Sequence, residues 1–406
     1  MKKAFKYRLY PTKQQEETLF WTLARCRELY NAALAERKEA YRMSGKSVSY
    51  YEQKRDLPEI KSEIREEYQQ IHSQVLQDVL LRLDKAFKAF FRRIKSGEEP
   101  GYPRFQGRNR YDSFTYPQGG YSLDVDGKRA TVTLSKIGTL KMKRHRELDG
   151  VIKTCTIKYE AGQWYAVFAC EVKPPEPLAV VGSEIGIDLG ITHFAALSDE
   201  TFIESPRYYR QAQADLKHKQ QALARKKRGS HRREKARKQV AKAHRKVRNQ
   251  RRDFHHKQAK KLIQEHQVIV FEDLQLTNLV KHAKPKQDAE TGQYLPNGAS
   301  AKSGLTKSIL DNGLGQFVQI VTYKAACAGR NIYKINPKYT SQICSACGKK
   351  GPKKDLSERV HICTNCGIVL DRDTNAAINI HTAWKRPRVW ARLCRERDDT
   401  VEAPCF

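Results

Sequence analysis

Long apolar runs are missing from this sequence, and their absence excludes two kinds of segment. No apolar stretch approaches the ~18 residues that a membrane-spanning helix needs. Met1, Lys2 and Lys3 open a mixed segment without an apolar core, so no secretory signal peptide is predicted. Cysteine is also sparse, with 10 residues in 406, which does not suggest a secreted disulfide scaffold.

Acidic residues are the second shortage. Asp and Glu number 45 against 77 Lys and Arg, which gives a formal net charge of +32. A charge of that size bears on partners and not on fold, and nucleic acid is the usual partner. Residues 207–262 hold 22 Lys or Arg and three acids, Asp215, Glu234 and Asp253. We interpret this stretch as a helical hairpin, broken at Gly229-Ser230, that contacts phosphate; a solvated face is the alternative.

Four of the ten cysteines form two Cys-x-x-Cys pairs. Cys344 and Cys347 are separated from Cys363 and Cys366 by the fifteen residues typical of a zinc ribbon. Glycine follows each pair, so a tight turn can bring both thiolates to one tetrahedral ion. Four cysteine ligands leave no open position, so the predicted zinc is structural. The remaining cysteines are predicted to be free thiols in a reducing cytoplasm: Cys26, Cys155, Cys170, Cys327, Cys394 and Cys405.

Three acidic residues stand at the edges of apolar segments. Asp188 ends the run EIGID, Glu272 ends the run VIVFE, and Asp373 opens the helix-like segment DTNAAINI. Carboxylate oxygens are the ligands that magnesium and manganese prefer, and paired ions of this kind support phosphodiester cleavage. A strand-terminal acid can equally be a turn residue, and Asp373 can be the N-cap of its helix.

Motifs along almost the whole chain resemble the TnpB (OrfB) family of transposon-encoded RNA-guided nucleases, which is related to compact type V CRISPR effectors. They are RLYPT, RxxYN, PRF, GIDLG, FEDL, KSILDNGLGQF, CSACG, CTNCG and DRDTNAAINI. The resemblance implies that Asp188, Glu272 and Asp373 are RuvC-like catalytic acids that hold magnesium or manganese. Between Asp371 and Asp373, the family pattern Asp-x-Asn-x-Ala selects Asp373. The sequence departs from the family pattern in two places: Leu314 stands where tryptophan is common, and a long polar insert follows Glu272.

The resemblance and the local patterns together predict a multidomain α+β fold. A small β-barrel is expected from residues 1–10 and 111–177, with a helical recognition lobe inserted at 11–110. A RuvC-like (ribonuclease-H-like) α/β nuclease domain is expected at 178–340 and again at 369–383. The zinc ribbon, at 341–368, then interrupts the nuclease domain between its second and third acids. Pro174-Pro-Glu-Pro177 is the clearest boundary.

Four segments carry more local expectations. Residues 281–304 are polar and aperiodic, which predicts a disordered loop or lid beside Glu272. Residues 305–328 predict one helix, and residues 384–406 predict a flexible tail. Aromatic residues interleaved with arginine at 102–116 suit either stacking on unpaired bases or anchoring of a loop, and both interpretations stay open.

These observations predict a magnesium-dependent DNA endonuclease, and the resemblance implies that it is RNA-guided. The resemblance implies a transposon-derived guide RNA, a short target-adjacent motif, and target DNA read by base pairing, in a cytoplasmic, monomeric ribonucleoprotein. A DNA transposase is one alternative, but metal-dependent transposases usually order their acids Asp, Asp, Glu, and the His-hydrophobe-His motif of single-strand transposases is absent. The other alternative is a non-catalytic nucleic-acid-binding regulator of transposition whose acids are helix caps.

Overall fold

A proline-rich linker separates two units of the chain, Met1–Pro174 and Pro175–Phe406. The computed structural model describes residues 1–108, 110–127, 129–352 and 358–395. Proline fixes φ and lacks an N–H group, so Pro174 to Pro177 interrupt regular structure at the point of division. Within the described residues, no helix has both the length and the apolar character needed to cross a membrane.

The first unit begins with a strand that runs straight into a long helix. β1 (Lys2–Tyr10) is followed by α1 (Lys13–Ser44), and Thr12 and Gln15 form a capping box at the start of α1. α2 (Tyr50–Glu59), a π-helical turn (Ile60–Ile64), a 3₁₀ turn (Glu66–Gln70) and α3 (Ser73–Lys95) complete the helical part. One side of α3 is buried, at Val75, Leu76, Val79, Leu80 and Leu83.

Six more strands join β1 in a single antiparallel sheet. They are β2 (Ser113–Tyr116), β3 (Tyr121–Asp126), β4 (Arg129–Leu134), β5 (Gly138–Lys143), β6 (Val151–Glu160) and β7 (Gln163–Glu171). The strand order is β2-β6-β7-β1-β5-β4-β3. Along the described residues no hydrogen-bonded pairing joins the two edge strands, β2 and β3, so the sheet is open between them.

Aromatic side chains nevertheless bring the two edges of this sheet together. The ring of Tyr121 on β3 lies 6.5 Å from that of Phe168 on β7, although four strand spacings would separate them by about 19 Å in a flat sheet. Tyr121 also lies 6.4 Å from Tyr116 on β2. The sheet is therefore strongly curled around one core, and side chains take the place of the missing strand pairing.

Residues 102–116 had two possible roles, anchoring of a loop and stacking on bases, and different residues of the segment suit each role. Phe114 and Tyr116 are buried in the core, as anchoring residues would be. Tyr102 packs edge-on against Phe87 and Phe90 but stays 43% exposed, and Phe105 is 49% exposed. Those two exposed rings leave base stacking available to the loop.

The second unit is a five-stranded mixed sheet with helices on both faces. Its elements in chain order are β8 (Glu184–Leu189), β9 (His193–Leu197), β10 (Phe202–Glu204), α4 (Tyr208–Ala224), α5 (His231–Glu265), β11 (Val268–Glu272), α6 (Leu276–Leu279), β12 (Lys286–Gln287), β13 (Tyr294–Leu295), α7 (Ala299–Asn312), α8 (Leu314–Ala328), β14 (Asn331–Ile335), β15 (Val360–Ile362), β16 (Val369–Asp371), α9 (Arg372–Lys385) and α10 (Pro387–Arg395). The strand order is β10-β9-β8-β11-β14. β8 and β14 both pair parallel with β11, whereas β8, β9 and β10 pair antiparallel.

Alternation along the strands assigns their side chains to two faces. Ile185 and Ile187 of β8, with Ile269 and Phe271 of β11, join one apolar cluster that includes residues of α5 and α8. The intervening residues of β11, Val268 and Val270, pack with Ile380 of α9 instead. Because successive residues of a strand point to opposite faces, the positions that bear Asp188 and Glu272 belong to the α9 face.

The basic hairpin forms as predicted. Gly229 takes φ +84°, and Ser230 caps α5 by accepting a hydrogen bond from the Arg233 N–H group. The Arg233 guanidinium donates to the carbonyls of Leu223 and Lys226, both at 2.9 Å, and so closes the end of α4. The guanidinium of Arg233 is therefore occupied by the hairpin turn itself.

Two predictions on the segment after Glu272 are wrong. Residues 281–304 are not a structureless loop: they contain the short hairpin of β12 and β13, whose turn is held by the Asp288 carboxylate as it accepts from the Glu290 and Thr291 N–H groups. Residues 305–328 are not one helix, because Gly313 takes φ +64° and separates α7 from α8. Single-residue breaks of this kind leave the apolar periodicity on either side intact.

The predicted flexible tail is also wrong over its first residues. α10 follows α9 directly, and Trp390 is 8% exposed because it packs with Ile343 and Ala383. Burial of a tryptophan by an amphipathic helix offsets the conformational entropy that is lost when the helix becomes ordered. The prediction of a flexible tail gave too little weight to this burial. Residues 396–406, including Cys405, lie outside the described residues.

We predict that Gly313→Ala destabilises the protein by about 1–2 kcal/mol, because a side chain at positive φ is strained. The added Cβ would also lie 3.1 Å from Arg251 Cδ and 3.3 Å from His255 Cε1. The matched control is Gly304→Ala within α7, where a Cβ meets nothing within 4 Å and should stabilise the helix by roughly 0.5–1 kcal/mol. Urea unfolding measures both; equal stability of the two variants would contradict the argument.

Candidate active site and metal centre

Asp188 and Glu272 come together because their strands are parallel neighbours. β8 and β11 pair in a register that sets Phe271 opposite Ile187, so the two acids are the next residues along each strand. Both strands end at the same edge of the sheet, and both acids belong to the α9 face. Two carboxylates that are 84 positions apart in sequence thereby reach one site.

A glycine in β8 allows α9 to lie against that site. A Cβ atom at Gly186 would stand 2.4 Å from the Ala377 carbonyl oxygen and 2.7 Å from the His381 nitrogen, so only glycine permits this packing. The far end of α9 is fixed where Lys385 donates to the Glu184 carboxylate at 2.8 Å. The close approach brings the first turn of α9, and with it Asp373, to the edge where β8 ends.

The two aspartates at the start of α9 have different tasks. Asp371 is the N-cap: its carboxylate accepts hydrogen bonds from the N–H groups of Asp373 at 2.8 Å and Thr374 at 3.1 Å. The capping role considered for Asp373 thus falls to Asp371. The Asp373 carboxylate is left facing the turn after β8, since a Cβ at Gly190 would lie 3.9 Å from its Oδ2.

Proximity of the acids is visible in their electrostatics. Burial raises the pKa of Asp188 well above its usual range, and the carboxylates of Glu272 and Asp373 raise it further. Burial also raises the pKa values of Glu272 and Asp373. Arg359, whose guanidinium is 3.9 Å from Asp373, only partly offsets this effect. Burial is therefore the main cause of the raised pKa values, and repulsion between carboxylates adds to it at Asp188.

Three carboxylates of this kind fit a divalent cation, which is what the family implies. The donor set is all oxygen, as magnesium and manganese prefer. Within the described part of the chain, however, the three carboxylates do not draw their ligand atoms within 4.8 Å of one another, whereas four cysteines do.

The four predicted zinc cysteines form one cluster. Cys344 Sγ lies 3.7 Å from Cys366 Sγ, and Cys347 Sγ lies 3.6 Å from Cys363 Sγ. Zinc–sulfur bonds of about 2.3 Å in a tetrahedron place sulfur atoms about 3.8 Å apart, so the cluster fits zinc closely. Backbone N–H groups of Cys366 and Asn365 lower the pKa of Cys363 to about 6, which favours the thiolate.

Three polar residues at the site were missed by the sequence analysis. Asn375 and Asn379 lie on the buried side of α9, at 0% and 2% exposure, and donate to carbonyls of the zinc-ribbon turn. Thr340 donates to Glu272. Two asparagines at i and i+4 in an otherwise apolar helix could have indicated this contact in the sequence, because a buried amide needs a hydrogen-bond partner. No sequence pattern marked Thr340.

A polar cavity of about 360 Å³ adjoins the turn after β8. Its lining includes Arg207 and Arg210 at the start of α4 and Asn312 at the end of α7. The Asn312 amide donates to the Gly190 carbonyl at 3.0 Å, while the neighbouring Asp311 carboxylate accepts from two N–H groups in the first turn of α4. The KSILDNGLGQF motif therefore ties the basic hairpin to the strand that bears Asp188.

Three regions of the chain match known protein families. Residues 167–283 match the family OrfB_IS605, described as "Probable transposase". Residues 315–380 match "Cas12f1-like, TNB domain", and residues 1–46 match a "Helix-turn-helix domain" of OrfB proteins. In this structure the last of these regions is the strand β1 followed by the single helix α1, not a helix-turn-helix.

Curated relatives match over nearly the full length. The chain is 32% identical to "Putative RNA-guided DNA endonuclease InsQ" of Escherichia coli (strain K12) over 381 residues, which are 94% of this chain and 92% of that protein. The chain belongs to the OrfB (TnpB) family. A second TnpB relative, "Putative RNA-guided DNA endonuclease" of Streptomyces pristinaespiralis, is 32% identical and covers 94% of this chain and 89% of its own.

Solved structures resemble this TnpB protein only distantly. "Structure of the mini-RNA-guided endonuclease CRISPR-Cas_phi3" aligns with a TM-score of 0.49 and 10% sequence identity, covering 97% of this chain and 92% of that one. A likeness of that degree is too weak to transfer fold details or function. Membership of the family rests on the sequence relatives.

We predict about one zinc ion per chain in the purified protein, bound by the cysteine cluster. Cys363→Ser should lower the zinc content and partly unfold the ribbon, because structural zinc contributes on the order of 10 kcal/mol of apparent binding energy in isolated fingers. Cys327→Ser, outside the cluster, should leave zinc unchanged. Metal analysis by mass spectrometry measures both, and a folded protein without zinc would refute the assignment.

Proposed function

We propose that this TnpB-family protein is a magnesium-dependent, RNA-guided DNA endonuclease encoded by a transposon. The observation that carries the proposal is the group of three acids, Asp188, Glu272 and Asp373, which the fold assembles from two parallel strand ends and a helix start. Two relatives that match over most of their length carry the name RNA-guided DNA endonuclease. A chain with a net charge of +32 suits RNA and DNA as partners.

The domain scheme follows from the same resemblance. We assign the sheet at 178–340, together with 369–383, to a RuvC-like nuclease domain and 341–368 to the zinc ribbon inserted in it. The strand order, with an antiparallel trio extended by parallel strands, supports a ribonuclease-H-like sheet. We assign the curled sheet at 1–10 and 111–177 to a barrel-like domain, and 11–110 to a recognition lobe.

The roles of the acids follow from their positions. Asp188 and Glu272 present carboxylates from adjacent strands, and Asp373 closes the site from α9, so a divalent cation bound there would have oxygen ligands on three sides. Magnesium, when bound, would lower the pKa of a water nucleophile and stabilise the leaving oxygen. Asp371 does not take part directly, since its carboxylate is committed to the helix cap.

The basic hairpin supplies the polyanion contacts in this proposal. Arg232, Lys235, Lys242 and Lys246 on α5 are exposed and available to phosphate. Arg207 and Arg210, around the cavity beside Gly190, would hold a nucleic-acid strand near the acids. Guide RNA, the target strand and a short motif beside the target would then be bound by one monomeric ribonucleoprotein. The free cysteines of the described chain suit a cytoplasmic setting.

The name "Probable transposase" favours a second candidate, a DNA transposase. The order Asp, Glu, Asp argues against the usual metal-dependent transposases, which place glutamate last. A non-catalytic regulator would need the acids only as caps, yet only Asp371 of the acids at the start of α9 serves as one. The endonuclease is therefore the stronger proposal.

We predict that Asp188→Asn, Glu272→Gln and Asp373→Asn each abolish cleavage of DNA while target binding stays nearly intact. Each change removes a charged oxygen ligand and leaves the side-chain volume unchanged. Asp371→Asn is the matched control: asparagine is an equally good N-cap, so cleavage should largely persist. A cleavage assay measures activity and a filter-binding assay measures target binding for each variant. If Asp371→Asn abolishes cleavage and Asp373→Asn retains it, the third acid is misassigned.

We also predict that the 3′ segment of a co-purifying RNA selects the DNA that is cut. No tandem array of base-reading modules is evident in the sequence, so a paired strand must carry most of the specificity. The protein should be expressed with its flanking transposon end. The guide segment of the RNA should then be replaced, and the complex should be incubated with a plasmid library. Cleavage should move to the newly complementary site beside a short fixed motif. A cut that stays in place, or that needs no RNA, would favour the transposase.

A further inference from the structure

Thr340 connects the zinc ribbon to one of the three acids. Its side chain is buried at 3% exposure, and its Oγ1 donates to Glu272 Oε1 at 2.5 Å. The Pro337 carbonyl is also within reach of this hydroxyl at 3.1 Å, but one proton serves one acceptor, and the shorter bond to a carboxylate is the stronger. Glu272 is thus held by a residue that precedes the first zinc cysteine by four positions.

The backbone around Thr340 is fixed on both sides. Tyr339 takes φ +69°, a left-handed conformation that a tyrosine adopts only when its surroundings impose it. The N–H groups of Gln342 and Ile343 both donate to the Tyr339 carbonyl at 3.0 Å, and Asn379 of α9 donates to the Thr340 carbonyl at 2.8 Å. The hydroxyl that contacts Glu272 therefore projects from a rigid turn.

The same turn continues into the zinc site. The carbonyl of Ile343, the residue before Cys344, accepts from both Asn375 at 2.9 Å and Asn379 at 2.7 Å. Within the zinc knuckle, the Ser345 N–H donates to the Asn375 Oδ1 at 2.9 Å. The two asparagines belong to α9, whose first turn carries Asp373. One hydrogen-bonded network thus includes the zinc knuckle, Thr340 and the helix of the third acid.

We propose that Thr340 is a positioning residue for Glu272, and that the zinc ribbon acts through it as the rigid support of the acid site. The proposal rests on the proposed nuclease function. It gives the ribbon a task beyond its own folding: holding one acid by a hydroxyl and the helix of another by two amides.

The physical need for such a support lies in repulsion and side-chain freedom. Glu272 has three rotatable bonds, and its neighbours Asp188 and Asp373 are also carboxylates, so an unsupported Glu272 would turn away. A hydrogen bond to Oε1 fixes the rotamer and leaves Oε2 for a cation. Loss of a hydrogen bond behind a metal-binding carboxylate typically lowers metal affinity or activity 10–100-fold.

The test compares Thr340→Val with Thr340→Ser. Valine keeps the shape and removes the hydroxyl, whereas serine keeps the hydroxyl. The first readout is Mn²⁺ binding to the full-length, zinc-loaded protein by electron paramagnetic resonance, with Asp188→Ala as the blank. Thr340→Val should bind Mn²⁺ about 10-fold or more weakly, and Thr340→Ser within about threefold of the native protein. Thr322→Val, which removes an exposed hydroxyl bonded to Val318 on α8, is the matched control and should change nothing.

The second readout is guided cleavage as a function of Mn²⁺ concentration. Thr340→Val should need proportionally more Mn²⁺ and approach native rates when it is supplied. A merely structural role would instead lower the rate at every concentration. Asn379→Ala should shift the midpoint the same way, and its effect should not add to that of Thr340→Val, since both interrupt one network.

The outcomes separate this inference from the nuclease proposal. If native protein with guide RNA does not cleave DNA, the proposed function fails, yet the Mn²⁺ affinities of the variants still decide the role of Thr340. If Thr340→Val binds Mn²⁺ as native protein does, or Thr340→Ser is as weak as Thr340→Val, Thr340 does not position Glu272.

Discussion

The close contact of α9 with β8 at Gly186 is the constraint on which the second unit depends. The Ala377 carbonyl occupies space that any side chain at position 186 would fill, so the helix can lie directly on the strand. That approach brings a helix start to the edge where two parallel strands end, and it lets Asn375 and Asn379 reach the turn that leads into the zinc knuckle. Both the acid site and its support therefore follow from one missing Cβ atom.

Charge is distributed unevenly over this framework. More than half of the basic excess lies in residues 207–262, which hold α4, α5 and the turn between them, while the acids gather at one sheet edge, where burial raises their pKa values. Neither arrangement favours the isolated fold, since like charges are concentrated in both. Each becomes favourable with a partner of opposite charge, a cation at the acids and a polyanion along the hairpin.

Much of the second unit could be predicted from local patterns. The apolar runs that end in Asp188 and Glu272, the break at Gly229-Ser230 and the cysteine spacing each reflect a short-range requirement and were read correctly. The predicted helix over 305–328 failed because Gly313 interrupts it without changing the apolar periodicity. Residues 281–304 and the start of the tail failed because a two-residue strand pairing and the burial of Trp390 are set by contacts, not by periodicity.

Within the candidate site, too, contacts between distant parts of the chain could not be predicted from the sequence. Spacing and type identified the candidate acids and the zinc cysteines, but not Gly186, Thr340 or Asn379. The roles of these residues exist only across the fold: Thr340 meets Glu272 over 68 positions of sequence, and Asn379 meets Thr340 over 39.

The sequence separation of β8 and α9 has a consequence during protein synthesis. Glu184 and Lys385 are 201 positions apart, so the ribosome has made the first two acids long before the helix of the third exists. Until α9 emerges, the face of β8 at Gly186 and of β11 at Val270 has no helix to cover it, and chains with such distant pairings fold slowly. A nascent chain accordingly cannot bring the three acids together until α9 has been synthesised.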